Sequence, residues 1–218
     1  MKNITLISSV HNEIGKCNSD ELYKIIEQIK PEAIFIELPE SLIDNFFKTE
    51  FDKHEPLEVK CLKKYSSQNV LKIVPVDIDP SPTLSTNQIL YMFESFGKYE
   101  IYKEFNDEQS RSVQLDGFNH LNSNKCSDIF FEMKKFEKHV LQYHPQKEIL
   151  SHIYNIFHEE QYERENQMIK KIFDYSAKNE FVNAAFIIGA AHRKSLEKKI
   201  IEFNVNQPYY INWNFYSC

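Results

Sequence analysis

The chain has 218 residues, a formal net charge of −6 and 42% hydrophobic residues. That length suits one large domain with a core of its own, and the composition is that of an ordinary globular protein rather than a disordered or fibrous one. The negative balance excludes a sequence-blind grip on nucleic acid, and no apolar stretch reaches the ~20 residues a membrane helix needs.

Residues 4–10 form a short apolar, β-branched run and predict a buried strand that ends at His11. The run is too short for a signal peptide. A helix is expected from Asn18, which can cap it with Glu21 three residues on. Leu22, Ile25, Ile26 and Ile29 then share one face, and Lys30-Pro31 ends the helix. Residues 33–38 predict a second buried strand, closed by Pro39. Strand, helix and strand at this length predict a βαβ unit: a parallel pair with a right-handed crossover.

Residues 41–47 have a helical pattern, and 59–65 are ambiguous. Residues 72–78 predict a third strand, in which Pro75 argues for an edge position or an early end. Asp79-Pro80-Ser81-Pro82 is a breaker. A helix is expected over 88–105. The polar stretch 106–127, with Asp116-Gly117 and Asn122-Ser123-Asn124, reads as a loop or boundary. Helices follow over 128–143 and 146–178, separated by Pro145. Residues 184–188 predict a fourth strand, 189–192 a turn, 194–204 a helix and 208–213 a last strand. This order predicts one α/β domain over 1–218: a mostly parallel mixed sheet flanked by helices, with 85–145 as a helical insertion.

Ligand sites in such sheets form beyond the carboxyl ends of the strands, where His11, Glu37, Asp77 and His192 all fall. His11 and His192 have similar contexts: an apolar strand, three small or short residues, the His, then a helix. Glu37 sits in an otherwise apolar run, where a buried carboxylate needs a cation or donor beside it. Arg164 shares a helix face with Met168 and Ile172, and an Arg on an apolar face usually holds a carboxylate or phosphate; the alternative is a surface pair with Glu160. Asp77 is a weaker candidate: it lines the site or starts the Asp-Pro turn. The spacings of His139, His144, His152 and His158 put no two imidazoles on one helix face as a zinc motif would, and His54 and His120 lie in polar segments. The aromatics over 91–105 and 130–136 read first as core, with a ligand role as the alternative. The four Cys (Cys17, Cys61, Cys126 and Cys218) are scattered, with no CxxC, which points to a reduced, cytoplasmic protein. No GxSxG elbow, phosphate loop, dinucleotide fingerprint or HExxH occurs, which removes the common hydrolase, kinase and oxidoreductase readings.

With these residues in hand, the chain resembles the superfamily that includes erythromycin esterases, haem-binding ChaN, TraB pheromone-shutdown proteins and Tiki proteases. A GxxH after the first strand is matched by Ser8-Ser9-Val10-His11, and a Glu in a "vELP"-like second strand by Ile36-Glu37-Leu38-Pro39. An "RDxxMAxxI"-like helix is matched by Arg164-Glu165-Asn166-Gln167-Met168-Ile169-Lys170-Lys171-Ile172, and a late GxxH by Gly189-Ala190-Ala191-His192. The likeness covers the two ends of the chain and not its middle. Ser8 departs from the first motif Gly, and Glu165 from the usual Asp or Asn after the Arg, which makes Glu165 a further, weaker candidate. The resemblance implies two related halves around one cleft, with His11, Glu37, Arg164 and His192 meeting in one polar site. It does not fix the activity, because its members include esterases, metal-dependent proteases and a haem binder.

The leading expectation is a hydrolase of an ester or amide (peptide) bond, acting on a small molecule or peptide through an activated water. In a metal-dependent version, His11, Glu37 and His192 hold manganese, cobalt or zinc, which acidifies the water. In a metal-free version, His11 or Glu37 is the general base. Arg164 steadies the oxyanion or orients Glu37. The alternatives are a non-catalytic binding protein of the same fold, with His11 or His192 as an axial haem ligand, and a module that binds a partner protein.

Overall fold

The computed structural model describes residues 1–44, 55–79, 83–205 and 209–217. Part of the helix expected over 41–47, the Pro80-Ser81-Pro82 breaker, His54, Pro208 and Cys218 lie outside the described residues. Five strands form one sheet: β1 (Lys2–Ser9), β2 (Ala33–Pro39), β3 (Lys72–Asp77), β4 (Asn183–Gly189) and β5 (Ile211–Phe215), in the order β3-β2-β4-β1-β5. Every pairing is parallel, so the sheet is α/β and unmixed. This follows from the connections, each of which carries the chain back through helix.

The simple βαβ pair does not form. β4 lies between β1 and β2, and its Ile187 pairs with Ile7 on one side and Ile36 on the other. Its run Ala-Ala-Phe-Ile-Ile is apolar on both faces and buried throughout, which suits a central strand. β3 is an edge strand. There the N–H that Pro75 lacks goes unmissed.

Side-chain alternation along the strands sends Ile7, Ile34, Ile36, Ala185 and Ile187 to one face. That face packs on α1 (Ser19–Ile29) and α2 (Leu57–Ser66). Helix α1 starts where Asn18 Oδ1 accepts the Glu21 N–H at 3.0 Å. It ends at Lys30, whose left-handed φ of 50° caps it. Ile4, Leu6, Phe35, Phe186 and Ile188 face the other side, against α7 (Lys147–Lys178) and α8 (Arg193–Val205).

Between β3 and β4 the described chain is helical: α3 (Thr86–Gly97), α4 (Glu100–Asp116), α5 (Phe118–Leu121), α6 (Asn124–Tyr143) and α7. The expected loop over 106–127 is therefore corrected to the end of α4, the short α5 and the start of α6. Its turn signals are real but mark helix ends. Gly117, at φ 57°, closes α4, and Ser123 Oγ accepts the Cys126 N–H to open α6. The helix expected over 88–105 is broken at Lys98–Tyr99 into α3 and α4. These helices bury a separate core that includes Met92, Phe96, Tyr102, Ile129 and Leu150.

Candidate active site

Four strand ends meet at one rim. Glu37 is close to the end of β2, Asp77 ends β3, Gly189 ends β4, and Ser9, which ends β1, pairs with Gly189. Alternation puts Glu37 on the same side as Ala33 and Phe35, facing α7. From α7, Arg164 and Glu165 reach toward this rim in two directions.

Arg164 grips Asp77 with two prongs, Nε to Oδ1 at 3.1 Å and Nη2 to Oδ2 at 2.6 Å. Nη2 also donates to Glu37 Oε1 at 2.9 Å, and Nη1 to Gln161 Oε1 at 2.6 Å. The guanidinium thus lies between two carboxylates, the planar fork geometry for which Arg is suited. Burial works against its charge, but Asp77 and Glu37 together hold its pKa above the ordinary value. Four of its five N–H donors are taken by these partners, which holds the Glu37 carboxylate in place. Glu160, the surface alternative, is not among them. The second Glu37 oxygen accepts the Gly189 N–H at 2.9 Å.

His192 follows in the 3-10 turn Ala190–His192, which runs straight into α8. Its Nδ1 lies 2.7 Å from Glu165 Oε1, and its Nε2 lies 3.5 Å from Glu37 Oε1. Nδ1 donates to the Glu165 carboxylate, and Nε2 faces Glu37, so the imidazole lies between two acids. Glu165 also accepts from Ser195 Oγ at 2.5 Å and faces Lys199 Nζ at 3.1 Å. Burial pushes the Glu165 pKa up, but these donors outweigh it and hold the carboxyl below its ordinary value.

His11 sits differently. It lies in the irregular segment after β1, eight residues before α1 begins, so its context is not that of His192. Its side chain is 66% exposed, and its Nδ1 is 3.6 Å from Glu58 Oε1. Glu58 on α2 raises the His11 pKa, chiefly by hydrogen bonding and against a smaller effect of burial; Glu37 adds to the rise. His11, Glu37, Glu58 and Gly189 line one cavity of about 190 Å³. His192 lines a second, of about 520 Å³, on the side of the helical middle. The two histidines thus flank Glu37 from different cavities.

The divalent ion that the resemblance brings in finds no ligand cage in this arrangement. Glu37 is spoken for by Arg164 and Gly189, and His11 turns toward Glu58 in a different cavity from His192. Among the described residues no group of three His, Cys, Asp or Glu side chains converges to hold a metal.

Several residues here carry no sequence signal. Glu58 stands just before the ambiguous stretch 59–65, yet it is largely buried at the small cavity, and its Oε2 has no hydrogen-bond partner among the described residues. Ser195, Lys199 and Gln161 are ordinary helix residues until α7 and α8 pack. His158, set aside on spacing, lines the larger cavity, and burial lowers its pKa to about 4. His120, expected in a polar segment, is buried and bonds Gln109 at 2.9 Å. No helix of the described residues is long and apolar enough to cross a membrane. Comparison of the chain with protein-family models, curated proteins and solved structures finds no match.

Proposed function

We propose that this chain is a hydrolase of ester or amide bonds, of the kind that the sequence resemblance implies, and that it works without a metal. The observation that carries the reading is the chain of contacts Glu165–His192–Glu37–Arg164–Asp77 across the carboxyl rim of a parallel sheet. Buried charge of this density is costly in a fold that needs only packing, whereas a hydrolytic site requires it.

The roles follow from the partners. His192, oriented by Glu165, takes a proton from water at Nε2, and the water oxygen attacks the carbonyl carbon. Glu37, fixed by Arg164 and the Gly189 N–H, stabilises the imidazolium that forms. The His192 imidazolium then returns that proton to the leaving oxygen or nitrogen as the C–O or C–N bond breaks, while His11 stands in the neighbouring cavity beside Glu58. Arg164 and Asp77 are positioning residues in this scheme.

The test is a panel of p-nitrophenyl esters and peptide anilides, run with EDTA and again with manganese, cobalt or zinc. Turnover with EDTA is expected, and His192→Gln should lower kcat/KM by ~10²–10⁴-fold. Silence across the panel in every arm would overturn the proposal and favour a ligand-binding or partner-binding protein. Turnover only with added ion would overturn its metal-free form.

A further inference from the structure

The cavity of about 520 Å³ beside His192 is unlike the polar rim it adjoins. Its volume lies within the range of small-molecule sites. Phe93, Phe130, Met133 and Phe157 supply apolar wall from α3, α6 and α7, and its polar end holds His158 and His192. His158 packs edge-on against Tyr154, ring centroids 4.1 Å apart, and against Phe157. Two acids line the wall: Glu137, whose oxygens accept from the Tyr102 and Tyr154 hydroxyls at 3.0 and 3.2 Å, and Glu165, which is held by His192, Ser195 and Lys199. Both carboxylates therefore have partners within the protein, and most of the wall surface is apolar with a few polar groups such as Lys134 and His158, the lining of a site for an apolar group.

We infer that this cavity binds the apolar portion of the substrate, a medium-length alkyl chain or aryl ring beside the scissile carbonyl, with the carbonyl placed at His192. The inference rests on the hydrolase reading for the word substrate, but the cavity's preference can be measured without turnover. A second observation marks the wall. Gly97, the last residue of α3, lines the cavity, and a Cβ added there meets no atom within 4 Å. A side chain at this position starts in open space at the cavity wall, which makes it the place to add bulk.

The probes are 2-nonanone and 2-butanone, ketones that mimic esters and have no bond to hydrolyse, titrated calorimetrically into the full chain. The longer ketone should bind at least tenfold more tightly to the wild type. Gly97→Phe should abolish that difference, and Phe93→Ala should move the preference to longer ketones. In the ester panel, Gly97→Phe should lower turnover of p-nitrophenyl octanoate tenfold or more relative to that of p-nitrophenyl acetate. Equal binding of the two ketones, or a preference that survives Gly97→Phe, overturns the inference while leaving hydrolysis intact. A clear preference in a protein that hydrolyses nothing supports the cavity and overturns the catalytic reading instead.

Discussion

Glu165 and Arg164 are neighbours on one helix, yet their side chains serve different strand ends: Glu165 reaches Nδ1 of His192 at 2.7 Å, and Arg164 reaches Asp77 at 2.6 Å. A one-residue step on a helix turns the side chain by ~100°, enough to hold two branches of the rim from one backbone. Glu165→Gln keeps the size and removes the charge that orients the imidazole. We expect kcat to fall at least ~10-fold with KM nearly unchanged, and the alkaline-going limb of the kcat profile to move. A fall in KM alone, with an unmoved pH profile, would contradict the orienting role.

Arg164→Ala would leave the Glu37 and Asp77 carboxylates facing each other with no cation between them. Breaking a buried ion pair from one side costs about 3 kcal/mol, and a loss of that order is expected in urea unfolding. Arg164→Ala combined with Asp77→Asn should recover part of it. If the single variant is as stable as the wild type, the guanidinium does not hold the rim together.

Gly189→Ala tests the closeness of Glu37. The added Cβ would lie 3.3 Å from Glu37 Oε2 and 3.7 Å from His192 Cδ2. The backbone there has an ordinary φ of −58°, so strain in the chain is not at issue. Either the carboxylate or the turn must shift by a few tenths of an ångström. We expect a fall in kcat/KM of ~10-fold or more with a melting temperature close to that of the wild type.

His158 gives a signed pH dependence. Burial lowers its pKa from 6.5 to about 4; Lys134 and Lys138 push the same way, and Glu165 pushes against them. Between those values the unfolded chain binds more protons at this site than the folded chain, so stability falls as pH drops through that window. His158→Phe should flatten this part of the stability curve measured by denaturant titration at pH 4 to 7. An unchanged slope would show that the imidazole is hydrated in the folded protein.

Asn122 ties the helical middle to β1. Its Oδ1 accepts the Ser8 N–H at 2.8 Å, its Nδ2 donates to the Ser8 carbonyl at 3.1 Å, and Arg193 Nη1 donates to the same Oδ1 at 2.7 Å. Asn122→Ala would leave the Ser8 N–H without this partner and take one acceptor from the buried Arg193 guanidinium, which keeps Glu197 and the Tyr216 carbonyl. We expect a loss of about 2–3 kcal/mol; Asn122→Asp should be milder than Ala.

The sequence made the strand ends legible because apolar β-branched runs stop abruptly there, and each candidate carboxylate breaks such a run. Arg164 was legible for the same reason in helical form, as a charge on the face of Met168 and Ile172. Strand order was not legible: nothing in β1 or β2 records that β4 enters between them from 150 residues away. The stretch 106–127 misled because a polar, amphipathic helix on the outside of a bundle has the composition of a loop. Ser195 and Lys199 acquire Glu165 only when α8 docks on α7, and Glu58 meets His11 only when α2 folds back on the segment after β1, so no local pattern announces them. His158 failed a metal-spacing test that had no bearing on a histidine buried among aromatics.

Helix α7 runs for 32 residues with neither Gly nor Pro inside it, a length of about 48 Å, and so has none of the usual causes of a kink. Phe157 and His158 on the aromatic cavity, Arg164 and Glu165 at the rim, and Met168 and Ile172 in the sheet core occupy successive turns of that one rod. The wall of the cavity and the supports of Glu37 and His192 are thus carried by one helix. The proposed binding and the proposed chemistry would depend on the same rod, although the two lie in different layers of the fold.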